Sequence, residues 1–206
     1  MVQDAILSTG NPRKGIEAKD VFAGSRFRIL TLREVGIEGG ALEDGATLTQ
    51  NAFKKASFAR ERYQREAWIL ADDTELTIPA LGGAPGVHTA RWAGEHASAR
   101  DLAQHCLDQM WGVRDRRATF RTVVAAISPA GTLFTFEGSV EGYLFETMPP
   151  RVLPDAPLGS LFVPRGHNCT LAEMPIAEEN AISHRGQAFR KLRAFLEQDT
   201  NPQYLS

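Results

Sequence analysis

Apolar residues fall in short runs along this chain, separated by polar, turn-forming segments. Ala5-Ile6-Leu7 reads as a first strand. It feeds Ser8-Thr9-Gly10-Asn11-Pro12-Arg13-Lys14, a turn-rich stretch. A short helix is expected over 15–22 and a second strand over 27–32. Ala52, Ala56, Ala59 and Tyr63 recur at helical spacing, and Thr47-x-x-Gln50 matches a capping box, so a helix is expected over 47–65. The apolar run 68–71 reads as a strand ending at Asp72-Asp73-Thr74, which places two carboxylates at the rim of a sheet. A loop follows at 81–86. A helix starting at Ser98 carries Leu102, Cys106, Leu107 and Met110 on its apolar face. Residues 118–127 and 132–145, joined at Pro129-Ala130-Gly131, predict a long β-hairpin. The proline-rich stretch 148–157 reads as irregular, and a last helix carries Ile182, Phe189, Leu192 and Leu196. This order predicts an α/β protein with a mixed sheet, its hairpin region forming a second lobe within one domain over 1–206.

Composition narrows the classes. The 206 residues are 43% hydrophobic and 23% charged, enough for one sizeable core without cross-links. A formal net charge of −2 argues against a sequence-independent nucleic-acid binder, which carries a basic excess. Cys106 and Cys169 lack metal-ligand spacing and read as buried thiols. No stretch of 18 apolar residues and no basic segment leading into an apolar one is apparent, so no membrane partner and a cytoplasmic location are expected.

Four constellations carry candidate chemistry. At Ser8 to Lys14 a strand feeds hydroxyls, a glycine, an amide and a lysine into the start of a helix, whose free N–H groups and dipole attract phosphate. The spacing is not that of a P-loop, and an ordinary strand–turn–helix junction is the alternative. Glu43-Asp44-Gly45 precedes the capped helix, on which Asn51 and Lys55 share one face; a solvated helix face is the commoner explanation of such a pair. Asp72-Asp73 becomes tolerable when a cation sits between the carboxylates, and Mg²⁺ favours one or two carboxylates completed by substrate phosphates; a solvated turn explains the pair equally. In Ser183-His184-Arg185-Gly186, Ser183 is a candidate N-cap. Arg185 in the first turn would oppose the helix dipole, which makes a ligand role more attractive, although a plain surface His-Arg pair remains the commoner explanation.

In order, the segments Thr9-Gly10-Asn11-x-x-Lys14, Glu43-Asp44-Gly45-x-Thr47, Asn51-Ala52-x-x-Lys55-Ala56, Ala71-Asp72-Asp73-Thr74, Leu81-Gly82-Gly83-Ala84-Pro85-Gly86-Val87-x-x-Ala90-Arg91 and Asn180-Ala181-Ile182-Ser183-His184-Arg185-Gly186 resemble the inosine/xanthosine triphosphate pyrophosphatase family over about residues 5–196. The resemblance implies a Mg²⁺-dependent homodimer with an elongated mixed sheet, flanking helices and two lobes around a nucleotide cleft. It implies hydrolysis of a nucleoside triphosphate to the monophosphate and pyrophosphate. It puts phosphate binding on Thr9, Gly10, Asn11, Pro12, Arg13 and Lys14, and the metal on Glu43 and Asp73. Asp73 is also the implied proton acceptor for the attacking water, with Lys14 and Lys55 compensating phosphate charge. Thr74 keeps the hydroxyl of a family serine, and His184 and Arg185 match the base-contacting pair.

The chain departs from the family mainly on the base side. A glycine-rich segment ending Phe-Gly-Tyr-Asp-Pro is replaced by Ala156-Pro157-Leu158-Gly159-Ser160 before Leu161-Phe162-Val163-Pro164. The stacking aromatic and the base-bonding aspartate are thereby lost, with Asp155 close by. Glu179 stands where the family has a lysine. Glu75, Gln50, His88 and Trp92 are further replacements. An altered base preference is one expectation, ordinary preference through other contacts a second, and a nucleotide-binding or regulatory homologue with weak turnover a third.

Overall fold

The computed structural model describes residues 2–198; Met1 and 199–206 of the expected domain lie outside the described residues. A seven-stranded mixed sheet runs through it in the order β2-β1-β3-β5-β6-β7, with β4 paired to β3. The strands are β1 (Gln3–Leu7), β2 (Phe27–Thr31), β3 (Trp68–Thr77), β4 (Pro85–Gly86), β5 (Arg117–Ile127), β6 (Leu133–Leu144) and β7 (Phe162–Pro164). β1 pairs in parallel with β2 and β3, joined through crossover helices; the other pairings are antiparallel. The helices are α1 (Pro12–Val21), α2 (Leu48–Arg62), α3 (Ala99–Gln109), α4 (Ile176–Ile182) and α5 (His184–Gln198).

The predicted α/β architecture with two lobes is present. On one face of the sheet, Leu7, Trp68 and Leu70 pack with Phe22, Phe189 and Leu192 of the α1 and α5 side. On the other, Ile6, Ile69 and Ala71 pack against Ala52, Ala56 and Ala59 of α2. The second lobe is built around Leu76, Ile78, Leu102, Cys106, Phe120, Leu161 and Phe162. Among the described residues no helix is long and apolar enough to cross a membrane.

Several boundaries differ from those read in the sequence. α1 begins at Pro12 rather than at 15, because Asn11 caps it and proline suits the first helical turn. α2 stops at Arg62, short of 65. Its Thr47 cap accepts from Gln50 N–H, but the Gln50 side chain accepts from Ala46 N–H instead of returning to the cap, so the capping box is half formed. The last helix is split: Ile182 ends α4, and extended Ser183 then caps α5 by accepting from Gly186 N–H.

The largest difference concerns the acidic pair. β3 does not end at Ala71 but continues to Thr77, so Asp72 and Asp73 lie within the strand rather than at the sheet rim. Both are buried, and β5 pairs alongside them in the Asp72–Val124 and Asp73–Val123 register. Because side chains alternate along a strand, Asp72 points to the α1/α5 side and Asp73 to the α2 side. The two carboxylates face opposite ways, so one cation held between them, as the sequence suggested, does not fit this geometry; each carboxylate has its own cationic partners.

Candidate active site

A cleft of about 480 Å³ lies where the two lobes meet. Three pieces of chain converge on its polar end. The first is the turn from β1 into α1. Thr9 Oγ1 accepts from Asn11 N–H at 3.1 Å, and Asn11 Oδ1 accepts from Arg13 N–H at 2.9 Å and Lys14 N–H at 3.3 Å. Asn11 therefore shapes the loop by capping α1. Its Nδ2 donates to the Asp155 carbonyl at 2.9 Å, which ties the 154–159 loop to this segment. Gly10 leaves open space around its Cα.

The second piece is α2 with the acidic loop before it. Asn51 and Lys55 are not on a solvated face: both are buried and aimed at β3. Lys55 Nζ lies 2.7 Å from Asp73 Oδ1 and 3.4 Å from Glu43 Oε2. Asn51 Nδ2 donates to Asp73 Oδ2 at 3.2 Å, while its Oδ1 accepts from Gly45 N–H at 2.8 Å. One amide thus fixes both the acidic loop and the Asp73 carboxylate. Gly45 has no room for a side chain, since a Cβ there would lie 2.6 Å from Asn51 Oδ1. Arg91, from the conspicuous 81–91 segment, donates to the Glu43 carbonyl and holds the loop from outside.

The third piece is the start of α5. Arg185 Nε lies 3.1 Å from Asp72 Oδ2, its Nη1 pairs with Glu17, and its Nη2 lies 3.4 Å from Thr74 Oγ1. Thr74 also shares a 2.6 Å hydrogen bond with Thr122. The buried His184 ring stacks on Phe120, with centroids 4.9 Å apart and planes at 13°. Phe162 meets Phe120 edge-on.

Charge is arranged unequally. Burial opposes ionisation of Asp72, but Lys14 (3.0 Å from its Oδ2), Arg185 and Lys55 outweigh it and hold Asp72 well below the usual carboxylate range. Asp73 goes the other way, because burial outweighs the pull of Lys55 and raises it. For Lys55, burial is overcome by Asp73, Asp72 and Glu43, and the ammonium is favoured; for Lys14 burial dominates and lowers it. Burial with Arg185 alongside holds the His184 imidazole well below its ordinary value, so it is neutral. Asp72 is therefore a fixed anion that anchors cations, and Asp73 is the more basic of the pair.

Glu43 and Asp73 converge on one position now filled by the Lys55 ammonium, which shows that positive charge is favoured there. Two carboxylates suit a hard divalent cation with oxygen ligands. No group of three or more His, Cys, Asp or Glu side chains able to hold a metal occurs among the described residues, so phosphate and water oxygens would have to complete the shell.

Of the residues that the family resemblance assigns to the site, all but Pro12 line the cleft; Pro12 serves as the exposed first residue of α1. Arg13 lines it but is bound to Glu17 and Glu179 rather than held free for phosphate. Four residues of the site carry no role assignable from the sequence. Asn51 had a signal, its helical position one turn before Lys55. Glu17 and Phe120 had none, because their roles arise from contacts distant in sequence. Glu179 was noted only as a replacement.

A family model described as the Ham1 family matches residues 5–195. A dITP/XTP pyrophosphatase from Porphyromonas gingivalis is 38% identical over 198 residues, covering 95% of this chain and 98% of its own. One from Caldanaerobacter subterraneus subsp. tengcongensis is 36% identical over 193 residues, covering 93% and 94%. Among solved structures, a HAM1 protein from Coxiella burnetii superposes with a TM-score of 0.79 at 31% identity, covering 95% of this chain and 98% of that one. Motif order, cleft architecture and these matches agree, and the chain belongs to the Ham1 family.

Proposed function

We propose that this chain hydrolyses non-standard purine nucleoside triphosphates, such as ITP, dITP and XTP, to the monophosphate and pyrophosphate, with Mg²⁺ as cofactor. The observation that carries this reading is the placement of Asp73. It is a buried carboxylate with raised proton affinity, beside Lys55 and Glu43 and across the strand from Lys14. Two relatives of similar length are named dITP/XTP pyrophosphatases, which supports the substrate class.

The chemistry follows from charge. Breaking the bond between the α- and β-phosphates needs a positioned water, a proton acceptor and compensation for charge on the phosphate oxygens. Asp73 takes the proton of the attacking water, and its raised affinity suits that task. Asn51 orients the carboxylate by donating to Oδ2. Lys14 and Lys55 face the phosphates. In the turn before α1 the Gly10 N–H supplies a further donor, the other N–H groups of the turn being engaged within it. Glu43 and Asp73 would hold Mg²⁺, which when bound offsets phosphate charge. His184 and Arg185, with Thr74 as hydroxyl partner, form the boundary toward the base. Homodimerisation, which rests on the family resemblance, and a cytoplasmic location belong to the same proposal.

Phosphorus NMR of ITP incubated with the protein and Mg²⁺ tests the reading. The expected products are IMP and pyrophosphate in equal amounts. Release of inorganic phosphate with IDP would place the cleavage at the wrong bond and overturn it.

A further inference from the structure

Arg13 and Glu179 form an ion pair in the cleft between residues 166 positions apart. Their side chains are only 14% and 5% exposed. Arg13 Nη2 donates to Glu179 Oε2, and Arg13 Nε lies 2.9 Å from Glu17 Oε1. Glu17 is itself held by Arg185. The guanidinium is thereby clamped on two sides. Arg13 Nη1 and Glu179 Oε1 take no bond from the described residues, and neither is sealed from solvent. A fixed ion pair thus carries a donor and an acceptor not used within the fold. The same cleft also has apolar wall residues, Phe120, Leu158, Leu171 and Ala156.

We infer that the Arg13–Glu179 pair reads the base, its guanidinium donating to a ring carbonyl while the carboxylate accepts from the adjacent ring N–H. The class selected is a lactam-edged base, as in hypoxanthine or xanthine, with C=O next to N–H. Adenine presents the reverse order, an amino donor next to a bare ring nitrogen, and would set donor against donor and acceptor against acceptor. Because sugar and phosphates fix which way round the base enters, that mismatch is not relieved by turning it over. The direction of the pairing rests on the proposed function. Arg supplies a planar, permanently charged fork that suits carbonyl recognition beside a carboxylate. Unpaired polar groups in such a site penalise the wrong base. The pair also accounts for Glu179 in place of a lysine: the carbonyl donor has moved to Arg13, and the carboxylate both holds it and adds an acceptor.

Calorimetry with non-cleavable α,β-methylene analogues of ITP and ATP tests this without relying on turnover, with inorganic tripolyphosphate as a base-free probe. Wild-type protein is expected to bind the ITP analogue roughly 10- to 100-fold more tightly than the ATP analogue, the worth of one hydrogen bond to a charged group. In Glu179→Gln, whose amide can donate or accept, the ratio should fall to within a few-fold of one, with tripolyphosphate affinity unchanged. Arg13→Lys keeps the charge but loses the fork and should narrow the ratio in the same direction; thermal melts establish that both variants are folded. No preference in wild type, preference for the ATP analogue, or an unchanged ratio in the folded variants overturns the inference. These results are separable from the proposed function: turnover of ITP with an unchanged ratio defeats only the base reading. Correct discrimination with no pyrophosphate release from ITP defeats only the hydrolytic one.

Discussion

Asp72 and Asp73 are consecutive residues of one strand, yet they serve opposite faces of the sheet. Asp72 Oδ2 pairs with Lys14 at 3.0 Å and Arg185 at 3.1 Å, whereas Asp73 meets Lys55 at 2.7 Å and Asn51 at 3.2 Å. The strand therefore connects two separately neutralised groups. One stays ionised and assembles α1 and α5 around the cleft; the other keeps a raised proton affinity toward α2.

Asn51 is a positioning residue for Asp73. Asn51→Ala removes the donor to Asp73 Oδ2 and leaves Gly45 N–H without its acceptor. A stability loss of about 1–3 kcal/mol is expected from the unpaired buried groups. kcat should fall while KM for ITP changes little, since the amide orients the base without facing the substrate. Denaturant melts and steady-state kinetics check both parts, and a change confined to KM would contradict the assignment.

The junction of α4 and α5 packs directly on β6. A Cβ added at Gly138 would lie 2.0 Å from the His184 carbonyl oxygen and 2.9 Å from Ala188 N, both backbone atoms unable to move alone. Overpacking of this kind costs about 1–3 kcal/mol. Gly138→Ala should lower Tm by roughly 2–12 °C for a chain of this size. Scanning calorimetry measures it, and an unchanged Tm would show that α5 can shift at no cost.

His184 gives stability a definite pH dependence. Its folded pKa is depressed by burial and by Arg185 from an ordinary value of 6.5, so the unfolded chain takes up a proton before the folded one does. This contribution to stability is intact above about pH 6.5 and is lost as pH falls below it, at up to about 1.4 kcal/mol per pH unit. Glu179 has the opposite sign, since burial and the Glu17 charge raise it against the pull of Arg13. The test is thus the difference between wild type and His184→Phe, which keeps the stack on Phe120 and removes the titration. The variant should lose part of the acid slope; identical slopes would contradict a buried neutral imidazole.

Chelation probes the acidic pair of Glu43 and Asp73. EDTA should abolish turnover, and added Mg²⁺ should restore it, with the far-ultraviolet circular dichroism unchanged. The fold does not need the metal, because Lys55 already pairs with both carboxylates. Full turnover in EDTA would remove the metal from the reaction.

Local patterns made much of this fold legible. The alanine series 52, 56 and 59 marks a buried helix face, and the two strand-like runs joined at Pro129-Ala130-Gly131 mark a hairpin, whereas the start of α1 at Pro12 lay hidden in a turn-rich stretch. The length of β3 was hidden because carboxylates usually signal solvent, and only the cations of three other elements make a buried Asp72 and Asp73 tolerable. For the same reason Lys55 and Asn51 resembled a wet helix surface. The Arg13–Glu179 and Glu17–Arg185 pairs join residues 166 and 168 positions apart, beyond the reach of any spacing rule.

Pyrophosphate release by Asp73→Asn under single-turnover conditions with ITP and Mg²⁺ is the most direct measurement. Wild type should release one pyrophosphate per ITP converted. Asp73→Asn, folded by circular dichroism, should release none on the same timescale. Release by the variant at the wild-type rate would contradict Asp73 as the proton acceptor.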